Sequence, residues 1–436
     1  MTSLLLLELN EINFDFVRRY ADKGQLPTFA RLIERHGVSH TTSEQRSEEL
    51  EPWIQWVTAH CGTSLAEHGV FRLGDIVHHD FPQIWEMLED RGLKVGAISP
   101  MNAKLRAKEP AFFVPDPWTE TGVRAPKVLK RLFSAIRQSV NDNAEGKISA
   151  ASVAALIAGV ARYARLSNVR EYERLTRKSI GNAWRRAMVL DLLLADVFIA
   201  EVRRTRPDFS SLFLNAGAHI QHHFMFSSEA YGGSLRNPEW YIAKGVDPLL
   251  EVYRLYDRIL ADVMLAFPSA RLMIATGLHQ EPHEHLTYYW RLRRHAQLLR
   301  RLAIPFTHVE PRMSRDFLVT FADSSSAVEG AARLAAATTR DGTPLFEVDN
   351  RGTDIFVMLT YPKDIGSSFE FFIGTERFTG LREDVAFVAI KNGEHDGMGY
   401  FIDSAETPRS ETEEFPLRDL PRRILGAFPD RARPQT

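Results

Sequence analysis

A single cysteine, Cys61, rules out any disulfide within the 436-residue chain. That fits a reducing compartment. Excess charge of one sign is also missing. Fifty-four Lys and Arg stand against 56 Asp and Glu, a formal net charge of -2. This balance gives no electrostatic reason to expect a nucleic-acid or membrane-surface partner. No apolar run reaches the roughly 20 residues of a membrane-spanning helix. Ala150 to Leu166 comes nearest and is broken by Arg162 and Arg165. The opening Met1 to Leu9 is short, lacks a basic n-region and already contains Glu8, so it reads as neither signal peptide nor span. Internal repeats and low-complexity tracts are absent as well. The expectation is a soluble, cytoplasmic chain.

What is present is the composition of an ordinary globular protein, 44% hydrophobic and 25% charged. Leu4 to Leu9 is apolar except for Glu8, as for a strand buried on both faces. Phe14, Phe16, Val17 and Tyr20 follow at roughly helical spacing, then Gly24 and Pro27 as punctuation. The pattern recurs with a helix around Ile84 to Leu88 and a strand at Lys94 to Ile98. Further strands are expected at Phe209 to Asn215, Arg271 to Ala275 and Val385 to Ile390. Strand–loop–helix alternation predicts an α/β fold, a doubly wound, mostly parallel central sheet flanked by helices. Between Thr119 and Asp208 the alternation stops. The segment is rich in Ala, Leu and Arg, and Trp184 to Val202 reads as one long buried helix. The expected organisation is core over 1–118, a helical insertion over 119–208, either a cap or a structural elaboration, core again over 209–425, and a flexible tail over 426–436.

Open α/β sheets bind ligands beyond the carboxyl ends of their strands. Asn10 and Glu11 follow the first strand. His219, His222 and His223 follow Asn215, His279 follows Ala275, and His395 follows the run ending at Ile390. Four strand ends therefore present Asn or His side chains.

These segments carry a resemblance. Leu9-Asn10-Glu11-Ile12-Asn13-Phe14, Gly24-Gln25-Leu26-Pro27, Glu51-Pro52-Trp53 running into Cys61-Gly62, and Glu67-His68-Gly69 stand in an order and spacing that resembles the phosphodiesterase and nucleotide-pyrophosphatase branch of the alkaline-phosphatase superfamily. Tyr256-Asp257 in the helix Leu250 to Leu260 fits the same pattern. The resemblance implies a metal-dependent enzyme that attacks phosphate esters with two cations, commonly zinc, and a Thr or Ser nucleophile. Departures are plain. Asn10 replaces the first Asp, Leu50 occupies the nucleophile position, and Thr276-Gly277-Leu278-His279 stands where Ser-Asp-His-Gly is the rule. The first metal position is thereby lost.

At the second position His219 replaces an Asp, His223 keeps the His four residues on, and His395 matches the late His. His-x-x-x-His puts both rings on one helix face, a common zinc geometry. With His395 it gives an expected three-His site for one divalent metal, zinc favoured; the alternative is a degenerate site of hydrogen-bonded histidines. Glu51 is open to roles as general base, ligand or nucleophile, and equally to a plain one as the acid that opens a helix. Asn10, Glu51 and His279 are the expected catalytic set. His68 is expected to be structural. Two functions remain open: a hydrolase or transferase acting on a small-molecule phosphate or related ester, or a catalytically inactive relative that binds a ligand or partner.

Overall fold

β1 (Leu4–Leu9) has no exposed residue. In this computed structural model, which describes residues 3–44, 46, 49–141, 149–312, 315–408 and 413–429, it lies in the middle of an eight-stranded sheet. The other strands are β2 (Ser39–Thr42), β3 (Val95–Ile98), β4 (Phe112–Val114), β5 (Phe209–Leu214), β6 (Arg271–Ala275), β7 (Met398–Asp403) and β8 (Glu414–Pro416). Their order is β8-β2-β7-β6-β1-β5-β3-β4. β1 runs parallel to both neighbours, with Leu4 opposite Phe209 on one side and Arg271 on the other. Only β7 is reversed, antiparallel to β6 and to β2. The sheet is mostly parallel, as the alternation predicts, and the carboxyl ends of β1, β5 and β6 share one edge.

Helices cover the sheet. α1 (Phe14–Asp22) starts at Asn13, whose side chain accepts from the Asp15 and Phe16 N–H groups. α2 (Pro27–His36) and α3 (Pro52–Cys61) both begin with proline, whose fixed φ suits a first turn. α3 lays Trp56 and Ala59 into a core shared with Leu4, Leu6, Phe209 and Phe213. The segment 119–208 holds α4 (Lys127–Asn141), α5 (Ala150–Tyr163), α6 (Val169–Ser179) and α7 (Arg185–Thr205). α7 buries Met188, Leu192, Phe198 and Val202. α8 (Ala216–Phe224) follows β5 directly, and α9 (Pro248–Ala266) leads into β6.

The chain forms two compact units. The larger comprises Met1–Gly232, Gly245–Glu281 and Gly393–Thr436; the smaller comprises Gly233–Lys244 and Pro282–Asn392. Residues 209–425, expected to continue one core, are thus shared between the two. The smaller unit has its own core, in which Leu298, Phe317, Val319, Ile355, Val357 and Phe371 are buried. It carries a four-stranded sheet built around Asp316–Thr320 and Asp354–Leu359.

One expectation about the sheet needs correction. The apolar run at Val385 belongs to a longer strand, Val385–Asp396, which pairs with His279–Leu292 in a separate ribbon and not with the main sheet. His395 therefore does not follow a sheet strand. It precedes one: β7 starts three residues later, and because β7 is reversed, its beginning lies at the edge where β1 and β6 end. Within the expected tail, residues from 430 onward lie outside the described ones.

Candidate metal centre at the carboxyl edge of the sheet

Past Leu9 the ladder continues for two residues, with Asn10 N–H donating to the Leu214 carbonyl and Glu11 N–H to that of Thr276. Glu11 then takes φ 60°, an unusual value for a residue with a Cβ and one that recurs at functional sites. Its side chain is 2% exposed. Oε1 accepts from Asn10 Nδ2 at 2.8 Å, and Oε2 accepts from Gln280 Nε2. Asn10 is itself fixed: Trp56 Nε1 donates to its Oδ1 at 2.7 Å, and its Nδ2 also donates to Asn215 Oδ1 at 2.8 Å. Asn10, where the resemblance leads one to expect an Asp, thus acts as a clamp on Glu11.

Two imidazoles meet Glu11 Oε2. His222 Nε2 lies 3.2 Å away and His395 Nε2 3.1 Å away. The two ring nitrogens stand 3.3 Å apart. Burial pushes the Glu11 pKa up, but the charge and hydrogen bonds of His395 and His222 outweigh it and hold the carboxyl well below its usual range. His222 Nδ1 faces the Gly393 carbonyl at 3.4 Å. A neutral ring that donates from Nδ1 there has its Nε2 lone pair available to a cation held beside Glu11. Behind His395, Glu51 Oε2 lies 3.9 Å from Nδ1. Burial raises the Glu51 pKa, against a lowering by His395. Glu51 stands at the N-cap of α3, yet its side chain makes no cap hydrogen bond. The plain role of opening a helix therefore does not account for its carboxylate.

The donor set fits a divalent cation. Three ligand atoms at the corners of a triangle with edges of 3.1, 3.2 and 3.3 Å match one face of a tetrahedron with bonds of about 2.0 Å, whose edges are about 3.3 Å. Two histidines with one glutamate and an open fourth position are a known catalytic zinc arrangement. Among the described residues, this is the one group of three His, Cys, Asp or Glu ligand atoms within 4.8 Å of one another.

Comparison with known proteins finds no matching family model and no matching curated protein. Solved structures do match. Phosphonoacetate hydrolase from Sinorhizobium meliloti 1021 is 15% identical, with 98% of this chain and 95% of that one covered and a TM-score of 0.46. Murine ectonucleotide pyrophosphatase/phosphodiesterase 5 is 10% identical, covered at 99% and 96%, TM-score 0.40. A TAB5 alkaline phosphatase mutant with bound magnesium is 8% identical, covered at 97% and 96%, TM-score 0.39.

The residues that form this group are not the three expected from the sequence. His395 is in the triangle; His219 and His223 are not, and Glu11 and His222 take their places. The reason lies in how α8 is seated. Its first N–H, on Ala216, donates to Asp191 Oδ2 at 2.8 Å. Gly217 has no Cβ because one would lie 2.2 Å from Ile12 Cδ1. Gln221 then donates to the Glu11 carbonyl at 2.6 Å and accepts from Asn13 N–H at 3.0 Å. With Gln221 turned to β1, His222 is one step of about 100° around the helix, whereas His219 and His223 are both two steps away, on the far side. They pack against each other with ring centroids 5.1 Å apart, and His223 lies 6.2 Å from His222.

The remaining expected residues have definite places. His279 is buried and bound on both ring nitrogens, Nε2 to Glu281 at 2.7 Å and Nδ1 to the Met398 carbonyl at 2.6 Å. Burial lowers its pKa, but Glu281, the Met398 carbonyl and Asp396 more than compensate and leave it raised. Both nitrogens are thus engaged away from the triangle. Leu50, at the nucleophile position, is buried. His68 is structural: Nδ1 accepts from Val70 N–H at 3.0 Å and Nε2 meets Thr58 Oγ1 at 3.1 Å.

Proposed function

We propose that the chain is a hydrolase of phosphate or related esters that uses one divalent cation, zinc favoured, held by Glu11, His222 and His395. The carrying observation is the near-equilateral triangle of Glu11 Oε2, His222 Nε2 and His395 Nε2. Its position past the carboxyl end of β1 is where open α/β sheets bind ligands. The phosphoester class rests on the sequence landmarks around Asn10, Gly24-Gln25-Leu26-Pro27 and Glu67-His68-Gly69.

A divalent cation supplies Lewis acidity toward a phosphoryl oxygen and lowers the pKa of water. The chain's own residues do the rest. Glu11 provides the negative charge, and Asn10 and Gln280 hold its two oxygens in place. Glu51 backs His395 from the Nδ1 side, as a positioning residue and not at the reacting atoms. His219 and His223, on the far side of α8, are not part of this donor set. Leu50 has no nucleophilic atom, so water is the acceptor in this reading: its oxygen bonds to phosphorus as the ester P–O bond breaks, and the proton it loses is balanced by protonation of the departing alcohol from solvent.

The test is metal content by elemental mass spectrometry on dialysed protein, beside phosphate release from a panel of phosphate monoesters and diesters. About one cation per chain is expected. It should be lost in His222→Ala and His395→Ala but kept in His219→Ala, with turnover following the metal in the first two. No stoichiometric metal after zinc is offered back sinks the proposal and leaves a ligand-binding protein as the better reading.

A further inference from the structure

The whole-chain charge balance conceals a local imbalance. Between 149 and 186 the sequence has eight Arg and Lys against two acids, Glu171 and Glu173. Arg165 is committed to Asp262 at 2.8 Å and Arg185 to Glu251 at 2.7 Å. Glu171 pairs with Arg174. Arg162, Arg170, Arg177, Lys178 and Arg186 remain exposed, with Glu173 the exposed acid in that stretch.

The same stretch presents aliphatic side chains that are exposed among the described residues. Ile157 on α5 is 66% exposed, Leu166 in the following turn 91%, and Ile180 just past α6 81%. α5 has apolar residues on its outer side as well as its inner one, Val153 and Ile157 one turn apart with Ala154, Ala158 and Ala161 beside them. α6 is seated through Tyr172 and Leu175 and turns Val169 and Arg170 outward. Along the chain, exposed aliphatic residues alternate with exposed bases.

We propose that this face, from α5 through α6 to Ile180, docks on an anionic lipid surface. Charge complementarity selects the occupant. Aliphatic side chains that protrude singly insert between headgroups while the flanking Arg and Lys meet lipid phosphates. A second copy of the chain would bring like charges together. A nucleic acid would pair with the bases but gives the aliphatic groups no apolar environment. The contact is peripheral, since among the described residues no helix is long and apolar enough to cross a membrane.

The experiment is co-sedimentation of the full chain with vesicles of phosphatidylcholine alone or with about one third phosphatidylglycerol, at ~0.1 M and ~0.5 M NaCl. Binding to the anionic vesicles alone, reduced at the higher salt, is expected. Each base removed should weaken it roughly fivefold, so Arg162→Glu with Arg170→Glu and Arg177→Glu should abolish it. Leu166→Ser with Ile180→Ser should weaken it without changing its salt dependence, and Leu166→Trp should show a blue-shifted emission on binding. Equal binding to both vesicle types, or none to either, overturns the proposal. So does a dimer by light scattering that Leu166→Ser dissolves, or binding to duplex DNA that rivals the vesicles and ignores the serine variants. Metal content and ester hydrolysis are separate readouts and are expected to be unchanged in all of these variants.

Discussion

Glu11→Gln changes one atom at the centre of the site and removes its charge. Glu11 accepts on both oxygens, from Asn10 Nδ2 on Oε1 and from Gln280 Nε2 on Oε2, where His222 and His395 also converge. Glutamine keeps one acceptor. If its oxygen faces the histidines, its NH2 meets the Asn10 amide, which is pinned by Trp56 on its oxygen side. If its oxygen faces Asn10, its NH2 meets Gln280 and crowds both imidazoles. Either orientation leaves a buried donor without an acceptor, at a cost of about 1–3 kcal/mol. In EDTA, the urea midpoint of the variant should fall by the corresponding amount. Zinc at a hundredfold excess over its Kd should stabilise the wild type by about 3 kcal/mol, and the variant far less, because a neutral amide is a weaker ligand. A variant as stable as wild type in EDTA, or a wild type that zinc does not stabilise, refutes the reasoning.

Three other outcomes are expected. Glu51→Gln should keep the metal yet lower kcat by about 10–100-fold, the usual size for a group that orients a ligand histidine; unchanged turnover would remove Glu51 from the site. Burial lowers the His68 pKa to about 4 from 6.5, so the unfolded chain takes up this proton first. Its effect is absent above pH 6.5, and stability is lost as pH falls from 6.5 to about 4, by about 2 kcal/mol after allowance for screening; His68→Gln should flatten that part of the urea-midpoint profile. Asp191→Ala removes the acceptor for Ala216 N–H and Tyr256 OH. It should cost about 2–5 kcal/mol and weaken metal binding through the seat of α8, and a variant with wild-type stability and metal affinity would show that seat to be dispensable.

Much of the architecture was legible because burial writes itself into composition. Leu4 to Leu9, Phe209 to Leu214 and Arg271 to Ala275 are apolar runs of strand length, and each is a strand of the main sheet. The short strands Ser39–Thr42 and Glu414–Pro416 left no such trace, since three or four residues at or near an edge need no apolar run, and Phe112–Val114 is apolar and buried but only three residues long. The smaller unit was hidden for another reason. Its strands alternate buried and partly exposed residues, as Asp316–Thr320 and Asp354–Leu359 do, and such half-buried strands lack the continuous apolar runs that mark the main sheet.

The sequence by itself determined that polar and histidine side chains gather past the ends of β1 and β5, and that Leu50 cannot be a nucleophile. Tertiary structure decided which of them meet. His219, His222 and His223 share one helix, and the anchoring of Gln221 to Glu11 and Asn13 selects the middle histidine. Asn10 and Glu11 are adjacent, and a left-handed turn at Glu11 makes the first the clamp and the second a member of the His222–His395 triangle. His395 arrives because β7 runs against its neighbours. Helix rotation, one backbone dihedral and one strand direction are set by contacts between residues up to 384 positions apart, and local sequence carries no record of them.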